Sequence, residues 1–528
     1  MLLSPTLLET IATYLPSEGM MMAFLEALPK ERRTPALELL ATLSHALGLQ
    51  VLWPTLDMVV LVRLANADSI LAQLLSVNPR LCIAPVSARP IVPVVVATPP
   101  RTWPTLRHLS LTIATWTMDL AVLANVQQMF VANAACLRSI DVNITALPIP
   151  ASDGRYATQS TCLAALVNLL VSTPYVTKVA LRATFKVPFP ETAAMALAQW
   201  IDAMPLTSLT MKNMYELSPT QQLWTKPTLV SLALPNTWHR LDNGSSAMSR
   251  HLTHLELGLS GPSPMQDVVG MLVQSPLQSL HLCLSNVARD FDMASTQLFL
   301  EDDLPRLDQL TTLRLTNVRL TTTHCLTLAL LLPRYNHLGL TSNRMGDAGV
   351  LALAPFLRHS SQLKTLTLVD QGFGDVGASA LATALVHTPR LRTLDLGRND
   401  ITASGAMSLS CLFPNLPRLA TWRLCNNPLG AKGLVFLLRA WTYVKFPTAT
   451  LLDARGSIDC DDDRRDCDAL LSDLPRHRTC WTAFKPPPVE TTETDFVDLD
   501  VDAPLGPMLQ SLATALAAAA GLSVRCHA

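Results

Sequence analysis

The chain has 528 residues, of which 49% are hydrophobic and 15% charged, with a formal net charge of −1 at pH 7. That is more chain than one hydrophobic core serves and too apolar for disorder throughout, so several domains or a repeat array is expected. The charge balance asks for neither nucleic acid nor an anionic membrane surface as a partner.

Residues 1–60 read as a small helical module. Ser4 followed by Pro5 makes a helix start, and Leu8, Ile11 and Leu15 fall on one face before Pro16 ends it. Phe24, Leu25 and Leu28 mark a second helix, Leu40, Leu43 and Leu47 a third, and Leu52-Trp53 closes the segment. With no basic start and Glu9 inside the apolar run, this terminus makes a poor signal peptide. Residues 61–105 are irregular or degenerate repeats.

From residue 106 to 455 one phrase recurs: apolar, two variable, then apolar–variable–apolar. It begins at Leu106, Leu137, Val176, Leu206, Leu229, Leu252, Leu277, Leu310, Tyr335, Leu363, Leu391 and Leu419, twelve times in all, with a thirteenth near Thr448. The spacing is uneven at first and settles at 28 residues from Tyr335 onward. There Gly349, Gly377, Gly405 and Gly433 keep the same register, each followed by an apolar triplet spaced for one helix face. Asp347 and Asp375 stand where these helices begin, placed to cap their free amides. Each unit is therefore strand, turn and helix. Stacked units form an α/β solenoid, a horseshoe with a parallel sheet on its concave face and helices on its convex face. Asn343, Gln371, Asn399 and Asn427 follow the phrases at a fixed offset, where an amide that both donates and accepts can bond the turn backbone. In the earlier repeats these positions are lost, and His324 replaces the glycine.

Residues 456–484 form a carboxy-terminal cap. Its acidic run, Asp459 to Asp463, fails as a calcium loop because Arg464 and Leu470 occupy the places of the turn glycine and the bidentate glutamate. Residues 485–504 are a flexible acidic linker rich in Pro and Thr, and residues 505–528 an Ala-rich helix. Leu505–Val524 is long enough to span a bilayer, but its alanine content gives little transfer gain, so a membrane is not an expected partner.

Catalytic arrangements are not in evidence: there is no GxSxG, HExxH, Walker loop or GxGxxG. No cofactor is implied. The eleven cysteines include no CxxC pair or zinc-ligand spacing, so no metal is expected, and the thiols read as reduced in a cytoplasmic or nuclear setting. Side chains alternate along a strand, so the variable phrase positions Thr312, Arg314, His337, Thr365, Thr367, Thr393, Asp395, Thr421 and Arg423 face the concave surface. His254 and His281 stand on strand phrases of the same kind. This surface is the expected binding site for a target protein.

The LxxLxLxxN phrase followed by a Gly-Asp-x-Gly helix start resembles the ribonuclease-inhibitor-like leucine-rich repeats, specifically from Leu310 to Trp441 and generically from Leu106 to Leu310. That resemblance implies an intracellular protein-binding solenoid. Residues 1–60 resemble the F-box through Pro5, Leu8, Ile11, Tyr14, Leu15 and Leu52-Trp53, although the segment is longer than the usual module and lacks its internal Val-Cys…Trp stretch. The F-box resemblance implies docking on a Skp-type adaptor and a substrate-receptor role in a cullin–RING ubiquitin ligase. Pro5, Leu8, Ile11, Leu15 and Trp53 would be the docking residues. A cap over the open end of the solenoid fits the same segment, leaving an interaction scaffold with no ubiquitin role. A third reading is GTPase activation, for which Arg398 or Asn426 would have to stand at a repeat edge.

Overall fold

The computed structural model describes residues 4–15, 17–57, 61, 67–78, 80–83, 103–113, 128, 131–145, 159–188, 191–215, 221–239, 248–259, 272, 275–284, 293–443, 451–457 and 479–481. Pro16, the acidic run, the linker and the Ala-rich segment lie outside the described residues. The chain divides into two units between Thr220 and Gln221.

The first unit opens with the helices Pro5–Thr13, Glu18–Ala27 and Pro35–Leu47. Each is started by a hydroxyl side chain: Ser4, Ser17 and Thr34 accept from the amides of Leu7, Met20 and Leu37. Arg33 closes the second helix from outside, donating Nη2 to Leu25 O at 2.8 Å and Nε to Leu28 O at 3.1 Å. The buried face of the third helix is Ala36, Leu37, Leu40, Ala41 and Ser44, with Leu43 and Leu47 half-buried at its margin. The strand ladder starts earlier than the phrases suggest. Strand β1 (Leu56–Asp57) pairs with β2 (Arg80–Ile83), so the end of the 1–60 segment is already sheet. Then follow β3 (His108–Ile113), β4 (Ser139–Ile144), β5 (Lys178–Pro188) and β6 (Ser208–Tyr215), each parallel to the one before. Helices Gln159–Val171 and Glu191–Ala203 cover one face.

The second unit carries β7 (Ser231–His239), β8 (His254–Leu259), β9 (Ser279–Leu284), β10 (Thr312–Thr316), β11 (His337–Thr341), β12 (Thr365–Val369), β13 (Thr393–Asp395), β14 (Thr421–Arg423), β15 (Leu451–Asp453) and β16 (Thr479–Trp481). They pair in chain order and in parallel. All twelve phrases are strands, and the fold is the expected α/β solenoid. Helices Thr322–Ala329, Gly346–Leu357, Asp375–Leu385, Ala403–Ser410 and Gly430–Tyr443 lie on one side of this sheet. Between sheet and helices runs the leucine core. Leu340, Leu366, Leu368, Leu394 and Leu396 are all 0% exposed, each burial contributing about 2 kcal/mol.

The helix starts differ from the reading of Asp347 and Asp375 as caps of their own helices. Asp347 Oδ1 accepts from the amides of Gly374 (3.0 Å) and Gly377 (2.7 Å), which belong to the next repeat. Asp375 does the same one repeat on, accepting from Thr402 N at 2.8 Å and Gly405 N at 2.9 Å, and from the Thr402 hydroxyl at 2.6 Å. Stacking brings the next helix start within reach of these carboxylates, so the caps bind neighbouring repeats together. This also accounts for two glycines of the column. A Cβ on Gly377 would lie 2.9 Å from Asp347 Oδ1, and one on Gly405 would lie 2.5 Å from Asp375 Oδ1.

Candidate functional site

Strand registry assembles the open face, the side of the sheet away from the helices. In a parallel ladder, side chains at matched positions form rows across the strands. One row of the second unit runs Thr312, His337, Thr365, Thr393, Thr421, and the next runs Arg314, Gly339, Thr367, Asp395, Arg423. The nine positions expected to face the concave surface thus stand together in two adjacent rows on five adjacent strands. Arg314 is exposed and the other eight are half-buried.

The rows are bonded within themselves. His337 Nδ1 lies 3.0 Å from Thr365 Oγ1. Arg423 Nη1 stands 3.6 Å from Asp395 Oδ2, while Asp395 Oδ1 accepts from Gly397 N at 3.1 Å. Burial raises the Asp395 carboxyl above its ordinary range, opposed by the Gly397 amide and the Arg423 guanidinium. Arg314 has no ion pair among the described residues, and its stem lies over Gly339. A Cβ there would be 3.1 Å from Arg314 Cγ.

The same rows continue through His281, expected on a strand phrase of this kind, and through Glu256 and Asp453, which the sequence did not single out. Glu256, His281 and Asp453 share the register of Arg314 and Arg423. His281 bridges Glu256 Oε1 (2.8 Å) and Thr316 Oγ1 (3.0 Å). Asp453, 1% exposed, takes two bonds from Arg455, Nε to Oδ1 at 2.9 Å and Nη2 to Oδ2 at 2.7 Å. The phrases LTHLEL and LQSLHL already carried Glu256 and His281 at the variable position, so register was the available signal.

On the first unit the open face is richer in cations. Arg182 pairs with Asp141 at 2.8 Å and stands directly beside Lys212. His108, bonded to Ser139 Oγ at 2.9 Å, has its imidazole pushed down to about 4, first by burial and then by Arg80, Lys178 and Arg182, with Asp141 opposing.

The turn amides reach back one repeat. Asn343 donates to Leu315 O (2.8 Å) and accepts from Val318 N (2.7 Å). Asn399 donates to Leu368 O at 2.7 Å and accepts from Gln371 N at 2.8 Å. Asn427 donates to Leu396 O at 2.9 Å and accepts from Ile401 N at 3.2 Å. Gln371 donates to Leu340 O at 2.6 Å, but its buried Oε1 has no partner among the described residues. Arg398 and Asn426 are exposed beside these amides, with φ of 55° and 56°.

Leu8, Leu15, Leu52 and Trp53 of the amino-terminal segment are buried, and Ile11 is half-buried. Trp53 Nε1 donates to Leu15 O at 3.0 Å, and buried Asn78 donates to Leu52 O at 2.9 Å. The first and third helices pack on helix Ala67–Val77, which precedes β2. Leu7 and Tyr14 point outward, 44% and 67% exposed.

A family model described as Leucine Rich repeat matches residues 336–354 and 389–410. The two matched segments are leucine-rich repeats. Among solved structures, the leucine-rich-repeat chain is similar to an internalin from Listeria monocytogenes str. 4b F2365, with 16% identity over 72% of this chain and 87% of that one and a TM-score of 0.34. It is also similar to the actin-binding site 2 of leiomodin-1, with 17% identity over 28% of this chain and 86% of that one and a TM-score of 0.24. No curated protein matches the sequence. Among the described residues no group of His, Cys, Asp and Glu is placed to hold a metal, and no helix is long and apolar enough to cross a membrane.

Proposed function

We propose that this is a protein-binding solenoid of the ribonuclease-inhibitor-like kind, recognising its target on the open face of β10–β14. The observation that carries this reading is the face itself. It presents two rows of polar side chains, with the His337–Thr365 and Arg423–Asp395 contacts fixing several of them before any partner arrives. Such pre-ordering lowers the entropy lost on binding. Hydroxyls and paired charges suit hydrogen-bonded, moderately polar recognition, with Arg314 as the anchoring cation. The repeat spacing, the amide ladder and the glycine column support the ribonuclease-inhibitor-like subtype. Cys82, Cys136, Cys283, Cys325, Cys411 and Cys425 are free, which fits the cytoplasm or nucleus. The test is affinity capture from an extract of the native cell with the full chain and two variants. Thr367→Arg on the open face should lose the captured protein, and Met407→Arg on the exposed helix side should keep it. The reverse pattern would move the binding surface to the helices.

For residues 1–60 the packing favours a cap. Docking on a Skp-type adaptor through Leu8, Leu15 and Trp53 would require those side chains to leave the core of the first unit. The outward pair Leu7 and Tyr14 favours the second reading, a ubiquitin-ligase substrate receptor. Purified Skp-type adaptor and the full chain should therefore not form a complex. A complex abolished by Leu7→Asp/Tyr14→Asp would restore the F-box-like role.

A further inference from the structure

Away from the open face, the turns after β10 and β11 enclose a cleft of about 720 Å³. Arg319, Thr321, Thr322, Ser342 and Arg344 line it. Both arginines are exposed, and neither has an ion pair among the described residues. Thr322 opens helix Thr322–Ala329, and the Thr321 hydroxyl caps the amide of His324. Thr322, in the first turn of that helix, lines the cleft. Ser342, on the same lining, donates to Asp370 at 2.8 Å.

The repeats supply an internal comparison. Arg319 and Arg344 occupy the same turn position in successive repeats and hold left-handed backbone, with φ of 53° and 54°. The next repeat has Gly372 there with φ of 68°, the residue for which that conformation is free of strain. A side chain with a Cβ costs about 1 kcal/mol in this conformation. Two arginines thus stand where the next repeat has glycine, and both line one cleft.

We propose that this cleft binds a phosphate monoester carried on a peptide, a phosphoserine or phosphothreonine. Two guanidinium forks match the oxygens of a dianionic phosphate in a way a single carboxylate cannot use fully. The helix start adds an amide and a favourable field for an anion. This builds on the reading of the chain as a protein-binding solenoid, but the cleft and the open face stand or fall separately.

The test is calorimetric titration of the full chain with acetyl-phosphoserine-amide, inorganic phosphate and acetyl-glutamate-amide. The phosphoserine probe should bind at least tenfold more tightly than the glutamate one. Arg319→Gly/Arg344→Gly should weaken it at least tenfold while leaving the thermal midpoint unchanged or raised. If that pair fails to fold, Arg319→Asn/Arg344→Asn removes the charges with a residue that tolerates the same backbone. No binding of phosphoserine, or equal binding by the variants, would overturn the proposal. Inorganic phosphate binding as tightly as the phosphoserine probe would overturn the peptide source and leave a site for the free ion. Because no partner protein is used, none of these results depends on whether the open face binds its target.

Discussion

Tyr335 replaces the first leucine of its phrase and is 0% exposed, yet its hydroxyl has no partner among the described residues. Burial pushes its phenol well above the ordinary range. An unpaired buried hydroxyl costs about 1–3 kcal/mol, so Tyr335→Phe should leave stability unchanged or raise it by about 1 kcal/mol in urea unfolding. His108 and His324 carry a pH dependence of defined sign. Burial lowers both imidazoles, His108 to about 4. The unfolded chain therefore takes up protons near pH 6.5 while the folded chain stays neutral there. Stability from these groups is full above pH 6.5 and falls as the pH drops towards 4. His108→Gln should flatten that part of the pH profile of the thermal midpoint, and an unchanged slope would show that the ring does not titrate on unfolding.

At the scale of elements, the phrases made their strands legible because alternation of leucine and polar residues is a local signal. What the sequence could not show is which repeat a polar group serves. Asp347 and Asp375 sit beside the starts of their own helices in the chain, but stacking offers them the amides of the next helix. Strand β1 was not anticipated, and β2 fell in the stretch read as irregular or degenerate repeats, for a related reason. They are short, lack the full phrase, and become strands only through the parallel neighbour that follows. Gly405→Ala should destabilise by about 2 kcal/mol, since its Cβ would meet Asp375 Oδ1 at 2.5 Å and Ile401 Cγ2 at 2.7 Å. Asp375→Ala should cost about 2 kcal/mol through lost caps. Combining the two should cost less than the sum, because Asp375 is the atom the new methyl strikes. Additive losses would place the strain elsewhere, against Ile401.

Across the whole molecule, two design features recur: leucines point to the helices, and polar side chains point to the open face. The expected target-binding residues come together because the repeat length keeps them in register, which made that surface legible from sequence. The Glu256–His281 and Asp453–Arg455 contacts were not, since a phrase places a side chain on the face but does not say which neighbour it bonds. The docking face that the F-box resemblance implied for residues 1–60 rests on an apolar stripe, which by itself does not tell a docking face from a covered one. Here the cover is helix Ala67–Val77 and Trp53 of the same unit. The most direct measurement of the central claim is site-specific photocrosslinking in the native cell. One photoreactive side chain would replace Thr367 on the open face, and another Met407 on the outer helix surface. The account predicts a defined protein adduct from position 367 and none from 407. Adducts from 407 alone would contradict it and assign recognition to the helices.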